Sequence, residues 1–235
     1  MIDKKKCTDC GTCVPYCPVE AIHFKRNIHF IDQEECVECG VCLRSGVCKN
    51  SALYQPHLRW PRTLRSFFSD PLTAHSQTDI PGRGTEEAKT NDVTHRFKSG
   101  ELGVVLELGR PGLGTSFEEV ETVTKSLSAL NARFEPKNPI TFLIETETGK
   151  LRDATIAKER ILSAVIEFTI AEKDFRQIAE KINEVSGTIN TVMSVGVATV
   201  CKNNRIPISM LRKSGFRPRI NGKVNLGLAL AWSYK

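Results

Sequence analysis

Apolar side chains in the second half of the chain recur with regular periods. Residues 103–108 form an apolar run that predicts a strand, and the turn at residues 109–112 ends it. The next apolar positions are three or four residues apart, as on one face of a helix: Phe117, Val120, Val123, Leu127 and Leu130. Thr115 with Glu118 and Ser116 with Glu119 each fit a capping box at the start of this helix.

Two strands, a second helix and a last strand are expected to follow. Residues 140–146 and 161–171 are apolar and β-branched, which predicts strands. Asp174 is expected to cap the second helix. The apolar stripe of that helix consists of Phe175, Ile178, Ile182 and Val185. With a fourth strand at residues 189–200, the order predicts an α+β fold, the βαββαβ or split βαβ sandwich, with both helices on one face of an antiparallel sheet.

The first and middle parts of the chain have weaker periods. Residues 21–24 and 28–31 are short apolar runs around a polar turn, which predicts a hairpin. Residues 54–100 contain scattered prolines and glycines without a sustained period. Residues 59–62 and 65–68 mix cations with aromatic rings, a composition that suits anchoring on a partner or on the chain's own domains. We expect packing on the chain's own domains.

Four segments follow from these patterns. We predict a first domain at residues 1–56, a Pro/Gly-rich linker at 57–100, the βαββαβ domain at 101–201 and a basic extension at 202–235. Eight cations and no acidic residue lie between residues 201 and 235. This segment contains no recognisable nucleic-acid-binding motif, which argues against a nucleic-acid ligand.

Composition and charge are those of a globular protein without a membrane span. The 235 residues carry a formal charge of +6, and 40% of them are hydrophobic. The longest apolar stretch, residues 189–201, is too short and too often interrupted to cross a bilayer. The basic amino terminus lacks the apolar run of a secretion signal. We therefore expect a cytoplasmic protein.

Eight of the nine cysteines lie between residues 7 and 48. The first four, Cys7, Cys10, Cys13 and Cys17, have the spacing C-x2-C-x2-C-x3-C and precede Pro18. The second four, Cys36, Cys39, Cys42 and Cys48, share this spacing, except that five residues separate the last two. In a cytoplasmic protein such cysteines are metal ligands or catalytic groups. Gly11 and Gly40 allow the backbone to curl tightly, so that three thiolates of each set face one centre.

The pattern resembles that of two-cluster bacterial-type ferredoxins over residues 1–56. The resemblance implies two [4Fe-4S] clusters, each held by three cysteines of one motif and the fourth cysteine of the other. The first set is Cys7, Cys10, Cys13 and Cys48, and the second is Cys36, Cys39, Cys42 and Cys17. Paired C-x2-C motifs also suit zinc, but zinc needs neither a third cysteine two residues on nor a shared fourth ligand. Cys201 is expected to be a packed thiol.

Four protein thiolates on each cluster would leave no iron open to a substrate. The expected function is therefore electron transfer, with single electrons relayed through both clusters. The chain would act as an electron-transfer protein or as a subunit of a larger anaerobic redox complex, without enzymatic activity alone. Its partners would be a redox enzyme or the other subunits of that complex.

The turn Arg110-Pro111-Gly112 resembles the Arg-Pro-Gly turn of ACT domains, and the related NIL domain has the same topology. The resemblance implies a small-molecule ligand at this turn, whereas dimerisation or docking is the favoured role of a domain of this shape. Two further functions stay open. One is a redox-responsive regulator that binds an amino acid or a thiol, and the other is an iron–sulfur subunit of a sulfur-transfer system.

Overall fold

The computed structural model describes residues 1–75, 79, 98–110, 112–200 and 208–216. Its first part contains a 3-10 helix at Val14–Tyr16, strands β1 (Ile22–Lys25) and β2 (Ile28–Ile31), and a single helical turn, α1 (Val41–Arg44). β1 and β2 pair as an antiparallel hairpin, as the sequence predicts. The two turn residues are left-handed, with φ of 54° and 61°, which suits a two-residue hairpin turn.

A four-stranded antiparallel sheet organises the part of the chain after the cysteines. The elements are, in chain order, α2 (Thr63–Ser69), β3 (Glu101–Leu108), β4 (Thr115–Ser116), α3 (Phe117–Ser128), β5 (Arg133–Phe134), α4 (Pro139–Leu143), β6 (Arg160–Ile161), β7 (Ala164–Ala171), α5 (Phe175–Ser186), β8 (Met193–Thr199) and α6 (Ile208–Lys213). The main sheet has the order β5-β7-β3-β8, and all neighbours are antiparallel. The mixed α and β composition is confirmed, whereas the ACT-like assignment stays a prediction.

The main core lies between this sheet and helices α3 and α5. Alternate residues of β3 share one face, and Leu102, Val104, Leu106 and Leu108 on that face are fully buried. Both predicted helix stripes belong to the same core: Phe117, Val120, Val123 and Leu127 from α3, and Phe175, Ile178, Ile182 and Val185 from α5. Each such side chain contributes roughly 1.5–3 kcal/mol by leaving water. Packing of these stripes therefore holds the helices in place.

Helix α3 begins at one of the two predicted capping boxes. Ser116 Oγ accepts a hydrogen bond from Glu119 N at 3.2 Å, and Glu119 Oε2 accepts one from Ser116 N at 2.8 Å. Thr115 is buried in β4 and donates to Glu119 Oε2 at 3.0 Å instead of capping the helix. Asp174 precedes α5 as predicted, but its side chain makes no capping hydrogen bond in the described chain. A 3-10 turn at Glu172–Asp174 runs directly into that helix.

The predicted strand at residues 140–146 is wrong, because helix α4 (Pro139–Leu143) occupies the first part of this range. The Asn138 side chain accepts a hydrogen bond from Ile140 N at 2.9 Å, and Pro139 occupies the first turn, where it needs no N–H partner. The second strand of the sheet is instead the short β5. The third strand begins at Ala164 rather than Ile161, since Ile161 belongs to β6.

Residues 57–100 contain a helix that the sequence pattern does not predict. Leu64 and Phe68 of α2 are buried in the main core, and the ring of Phe68 meets that of Phe117 edge to face at 5.3 Å. Ser69 Oγ accepts a hydrogen bond from Leu162 N at 2.8 Å. This part of the predicted linker is therefore packed against the chain's own sheet region.

Other parts of the predicted layout lie outside the described residues. These parts are residues 76–78 and 80–97 of the linker, Cys201, and the extension except for α6 and the three residues after it. The proposed boundaries at residues 56 and 101 stay predictions. Among the helices that the structure describes, none has the length and apolar character needed to cross a bilayer.

Candidate metal centre

The first four cysteines lie on a loop, residues 3–17, that curls around its own sulfur atoms. Cys7 N donates to the Asp3 carbonyl at 3.0 Å, and Asp3 Oδ1 accepts from Lys5 N at 2.9 Å. Asp9 and Gly11 are left-handed, with φ of 53° and 72°. These conformations turn the chain back, so that Asp9 N donates to Cys7 Sγ at 3.4 Å.

The second loop, residues 32–48, repeats this geometry from its first residue to its third cysteine. Cys36 N donates to the Asp32 carbonyl at 3.0 Å, and Asp32 Oδ1 accepts from Glu34 N at 2.8 Å. Glu38 and Gly40 are left-handed like their counterparts, with φ of 56° and 67°. Glycine suits the tight curl because L side chains are strained at positive φ.

Cys17 and Cys48 have the same local surroundings despite their different spacing. Ala21 N donates to Cys17 Sγ at 3.1 Å, and Ala52 N donates to Cys48 Sγ at 3.2 Å. The residue before each alanine is left-handed in both segments. The extra residues of the second loop are taken up after α1, where Gly46 is left-handed with φ of 65°.

Each loop pairs with the segment that follows the fourth cysteine of the other loop. Asp3 N donates to the Ala52 carbonyl at 2.7 Å, and Asp32 N donates to the Ala21 carbonyl at 2.8 Å. This reciprocal pairing brings the segment after Cys48 to the first loop and the segment after Cys17 to the second loop. The exchange of the fourth cysteines between the two sets, which the ferredoxin resemblance implies, stays a prediction.

Four cysteines of the predicted second set, Cys17, Cys36, Cys39 and Cys42, line one cavity whose remaining walls are mostly apolar. Burial, followed by repulsion from Cys42, Cys17 and Cys36, raises the pKa of the Cys39 thiol to about 11. Burial also raises the pKa values of Cys36 and Cys42. Such thiols become thiolate ligands when a metal supplies positive charge. The cavity therefore fits a soft, thiolate-preferring metal centre.

The first set is more open to solvent. Cys10 is exposed, and hydrogen bonds from Thr12 lower the pKa of its thiol. Its counterpart in the second loop, Cys39, is only 8% exposed. In iron–sulfur sites, cysteine sulfurs bind the iron atoms and accept hydrogen bonds from backbone N–H groups. The cysteines of both loops therefore fit such a cofactor. The two candidate centres differ in exposure although their loops have similar backbones.

Helix α2 packs against the second loop through a buried arginine. Arg65 is 3% exposed, and its Nη1 donates to the carbonyl oxygens of Gln33, Glu34 and Cys36 at 2.8, 3.1 and 2.8 Å. Its Nε donates to the Glu159 carboxylate at 2.5 Å. The sequence predicts that this segment packs on the chain itself, but not which partners it meets, since they are distant along the chain.

Two histidines pair with carboxylates that the sequence analysis does not connect. His23 Nε2 lies 2.6 Å from Glu35 Oε2, with Asp32 close to both. His29 N donates to Asp9 Oδ1 at 2.6 Å, and its Nδ1 lies 3.5 Å from the same oxygen. Both histidines belong to the hairpin, which thereby contacts both cysteine loops. No local spacing signals these pairs, because the fold of the hairpin onto the loops creates them.

The predicted ligand turn at Arg110, Pro111 and Gly112 approaches the first loop. Pro111 lies outside the described residues, and Arg110 is exposed. Gly112 has a φ of 65°, and a Cβ atom there would lie 3.1 Å from the Pro18 carbonyl oxygen. The turn therefore lies against the residue that follows Cys17, and glycine permits this approach.

Comparison with known families identifies the first cysteine motif. The family model of the 4Fe-4S binding domain matches residues 1–23, which include Cys7, Cys10, Cys13 and Cys17. No curated protein and no solved structure matches the chain. The chain therefore contains a 4Fe-4S binding domain in its cysteine-rich first part, and this match supports the predicted iron–sulfur cofactor and a role in electron transfer.

Proposed function

We propose that this protein transfers single electrons through two [4Fe-4S] clusters. Cys7, Cys10, Cys13 and Cys48 would hold one cluster, and Cys36, Cys39, Cys42 and Cys17 would hold the other. The observation that carries the proposal is the reciprocal pairing of Asp3 with Ala52 and of Asp32 with Ala21. It supports both the number of clusters and the exchange of the fourth cysteine between the motifs.

The protein's own contribution is to hold the thiolates and to stabilise the charge on their sulfur atoms. A bound [4Fe-4S] cluster supplies the capacity to accept and release an electron. The N–H groups of Asp9, Ala21 and Ala52 donate to cysteine sulfurs, and such bonds favour the more negative, reduced state. Because a cysteine thiolate would coordinate every iron atom of both clusters, no iron would have an open position for a substrate. This favours electron transfer over catalysis.

The remainder of the chain would fix the geometry of this electron-transfer unit. We place that unit in residues 1–56 and the βαββαβ domain in residues 101–201, with α2 of the linker region between them. Arg65 supports this arrangement, since it bonds to the second loop and to Glu159. The partner would be a redox enzyme or another subunit of an anaerobic, cytoplasmic redox complex. Pairing of the βαββαβ domain with a second copy of the chain belongs to the same proposal.

Iron and sulfide analysis tests the number of clusters. Protein purified without oxygen should contain about eight iron and eight sulfide ions per chain. After reduction with dithionite, its electron paramagnetic resonance spectrum should show two clusters that interact magnetically. Four ions of each kind would contradict the second cluster, and zinc in place of iron would contradict the proposal as a whole.

A cysteine variant tests the assignment of Cys48. Cys48→Ala should weaken or remove the first cluster and preserve the spectrum of the second. The matched control is Cys201→Ala, which removes the ninth cysteine and should keep about eight iron ions per chain. If Cys48→Ala keeps both clusters with unchanged spectra, Cys48 is not a ligand.

A redox-responsive regulator is the second candidate function. The approach of Gly112 to Pro18 favours it, because a ligand at Arg110 would act on a residue next to Cys17. Binding and cluster potential would then be coupled reciprocally. Calorimetry of the iron-loaded protein against amino acids and thiol metabolites should detect binding heat, and redox titration should detect a shift in potential. Absence of both would exclude this function.

A further inference from the structure

We propose that the chain exchanges electrons at the face of the first loop, around Cys10, with a redox protein whose docking surface is acidic. This inference rests on the proposed function and adds the site of exchange and the chemistry of the partner. It follows from three differences between two loops of similar backbone: exposure, coverage by α2 and side-chain charge.

Exposure is the first difference. Cys10 is exposed, whereas Cys39, at the equivalent position of the second loop, is 8% exposed. Both cysteines follow a left-handed residue in the same backbone conformation, so the surroundings of the loop create the contrast. An exposed ligand sulfur brings a partner closer to its cluster than a buried one, and proximity favours the first loop as the site of exchange.

Coverage by the chain itself is the second difference. Arg65 of α2 occupies the carbonyl oxygens of Gln33, Glu34 and Cys36, and Arg62 Nε donates to Glu38 Oε1 at 2.7 Å. In the first loop the equivalent carbonyl groups are those of Lys4, Lys5 and Cys7. Within the described part of the chain, no side chain donates to these three groups. Helix α2 therefore covers the carbonyl groups of the second loop, whereas no described side chain covers the equivalent groups of the first loop.

Charge is the third difference. Lys4, Lys5 and Lys6 are exposed and precede Cys7, whereas the equivalent residues before Cys36 are Gln33, Glu34 and Glu35. Both loops would hold a cluster of the same kind, so the difference in local charge comes from the surrounding side chains, and these residues contribute to it. Among the described residues, no ion pair neutralises any of the three lysines.

The two acidic residues of the first loop accept hydrogen bonds from backbone N–H groups. Asp3 Oδ1 accepts from Lys5 N, and Asp9 Oδ1 accepts from His29 N. Within residues 3–17, the exposed charged side chains that a docking protein would meet are therefore those of the three lysines. A cluster of one sign steers a partner of opposite charge and sets its orientation, which makes an acidic partner the complementary one.

Electron transfer to an acidic protein tests the proposal. The dithionite-reduced, iron-loaded full chain is mixed with oxidised flavodoxin, which serves as an acidic one-electron acceptor, and the rate of cluster reoxidation is followed optically. Each cluster that is reoxidised releases one electron, and the flavin accepts it. The variant Lys4→Glu/Lys5→Glu/Lys6→Glu should reduce the second-order rate constant by about tenfold or more at low ionic strength. The reduction should shrink as salt is added.

Two matched controls separate local docking from total charge. The variant Lys137→Glu/Lys158→Glu/Lys173→Glu makes the same charge change at exposed lysines outside the cysteine loops. Glu34→Lys changes the charge at the position equivalent to Lys5. Both controls should alter the rate constant by less than about twofold.

Iron content separates failure of this inference from failure of the proposed function. Each variant is compared only at about eight iron ions per chain. If the parent protein lacks clusters, the proposed function is wrong. If clusters are present and the Lys4/Lys5/Lys6 variant reacts as fast as the Lys137/Lys158/Lys173 variant, the proposed docking face is wrong. The proposed face is also wrong if Glu34→Lys raises the rate constant as much as the Lys4/Lys5/Lys6 variant lowers it. A small cationic acceptor, hexaamminecobalt(III), should react faster with the first variant than with the parent protein.

Discussion

At the scale of single residues, backbone conformation decides where side chains are tolerated. Gly11 and Gly40 adopt positive φ in the two cysteine loops, and Gly149 adopts it beside α3. A Cβ atom on Gly149 would lie 2.3 Å from the Thr124 carbonyl carbon and 2.4 Å from Lys125 N. Since the obstacle is backbone rather than a flexible side chain, no rotamer change can relieve it. A substitution at Gly149 therefore tests how closely the backbone at this residue packs against α3.

Gly149→Ala should destabilise the protein by about 3 kcal/mol or more, through left-handed strain together with the clash. The apparent melting temperature at one fixed scan rate should fall by roughly 6–12 °C. Gly100→Ala is the matched control, because Gly100 also has positive φ, at 85°, but no described atom lies within 4 Å of a Cβ atom there. It should cost about 1–2 kcal/mol from strain alone. Equal losses in both variants would show that Gly149 has room for a methyl group.

Glu101 should titrate below the usual range because of Arg133. A hydrogen bond from Arg133 Nη2 to Glu101 Oε1, 2.8 Å long, lowers the pKa of that carboxyl group. Because this pKa is lower in the folded state, the ion pair stabilises the protein at pH values above the unfolded-state pKa of about 4.3. The stabilisation is lost as the pH falls through the folded-state pKa. Arg133 is largely exposed, so solvent limits the contribution to about 0.5 kcal/mol.

Carboxyl-carbon NMR titration between about pH 3 and 7 measures this shift. In Arg133→Gln the pKa of Glu101 should rise toward its ordinary value, whereas Arg176→Gln, which removes an exposed guanidinium paired with Glu180, should leave it unchanged. An unaltered titration of Glu101 in Arg133→Gln would mean that the ion pair does not form in solution.

At the scale of secondary-structure elements, α2 connects the cysteine loops with the sheet region. Phe68 packs in the main core, while Arg65 on the same helix reaches the second loop and Glu159. The helix is short, so tertiary contacts rather than intrinsic propensity hold it. Its buried cation is stable because a carboxylate and three carbonyl oxygens compensate for lost hydration.

Arg65→Met should lower the free energy of unfolding by about 3–5 kcal/mol, because it leaves Glu159 and three carbonyl groups without their partner. The apparent melting temperature of the iron-loaded protein should fall by about 10 °C. The control is Arg176→Met, which breaks an exposed ion pair with Glu180 within α5 and should cost about 0.5 kcal/mol. Similar losses in the two variants would contradict a bridging role for Arg65.

At the scale of the whole molecule, the cysteine-rich part has little apolar core of its own. Its buried hydrophobic residues are Ala21, Ile22, Val37, Cys39, Ala52 and Leu53. The main core of the described residues contains no residue before Leu64. It is formed by side chains of the sheet and of the helices that pack on it. A segment of this size with so few buried side chains requires a metal or other crosslink for stability.

Removal of iron by anaerobic chelation should therefore unfold the cysteine-rich part selectively. Backbone amides of residues 1–53 should lose protection from hydrogen exchange, because the metal–ligand bonds supply much of their folding free energy. Amides of β3, β7, α3 and α5 should keep their protection. Hydrogen-exchange mass spectrometry of loaded and iron-free protein distinguishes the two regions, and retained protection in residues 1–53 would contradict metal-dependent folding.

The sequence by itself determined those features whose physical causes act over a few residues. Cysteine spacing and the two glycines predict the curled loops, and the stripes from Phe117 and Phe175 predict both main helices. The hairpin follows for the same reason, since its strands and turn are contiguous. The prediction of a strand at residues 140–146 fails because Asn138 and Pro139 favour a helix start over the β-branched composition that follows.

Only the tertiary structure decided which distant segments meet. It pairs Asp3 with Ala52, and so sets the surroundings of Cys48 despite the altered spacing. It also directs Arg65 to Cys36 and Glu159, and leaves Cys10 exposed where Cys39 is buried. Such contacts join residues that are far apart along the chain and depend on how whole elements pack. No local period encodes these contacts, so the pairing of each loop with a distant segment and the difference in exposure between Cys10 and Cys39 emerge only when the chain is folded.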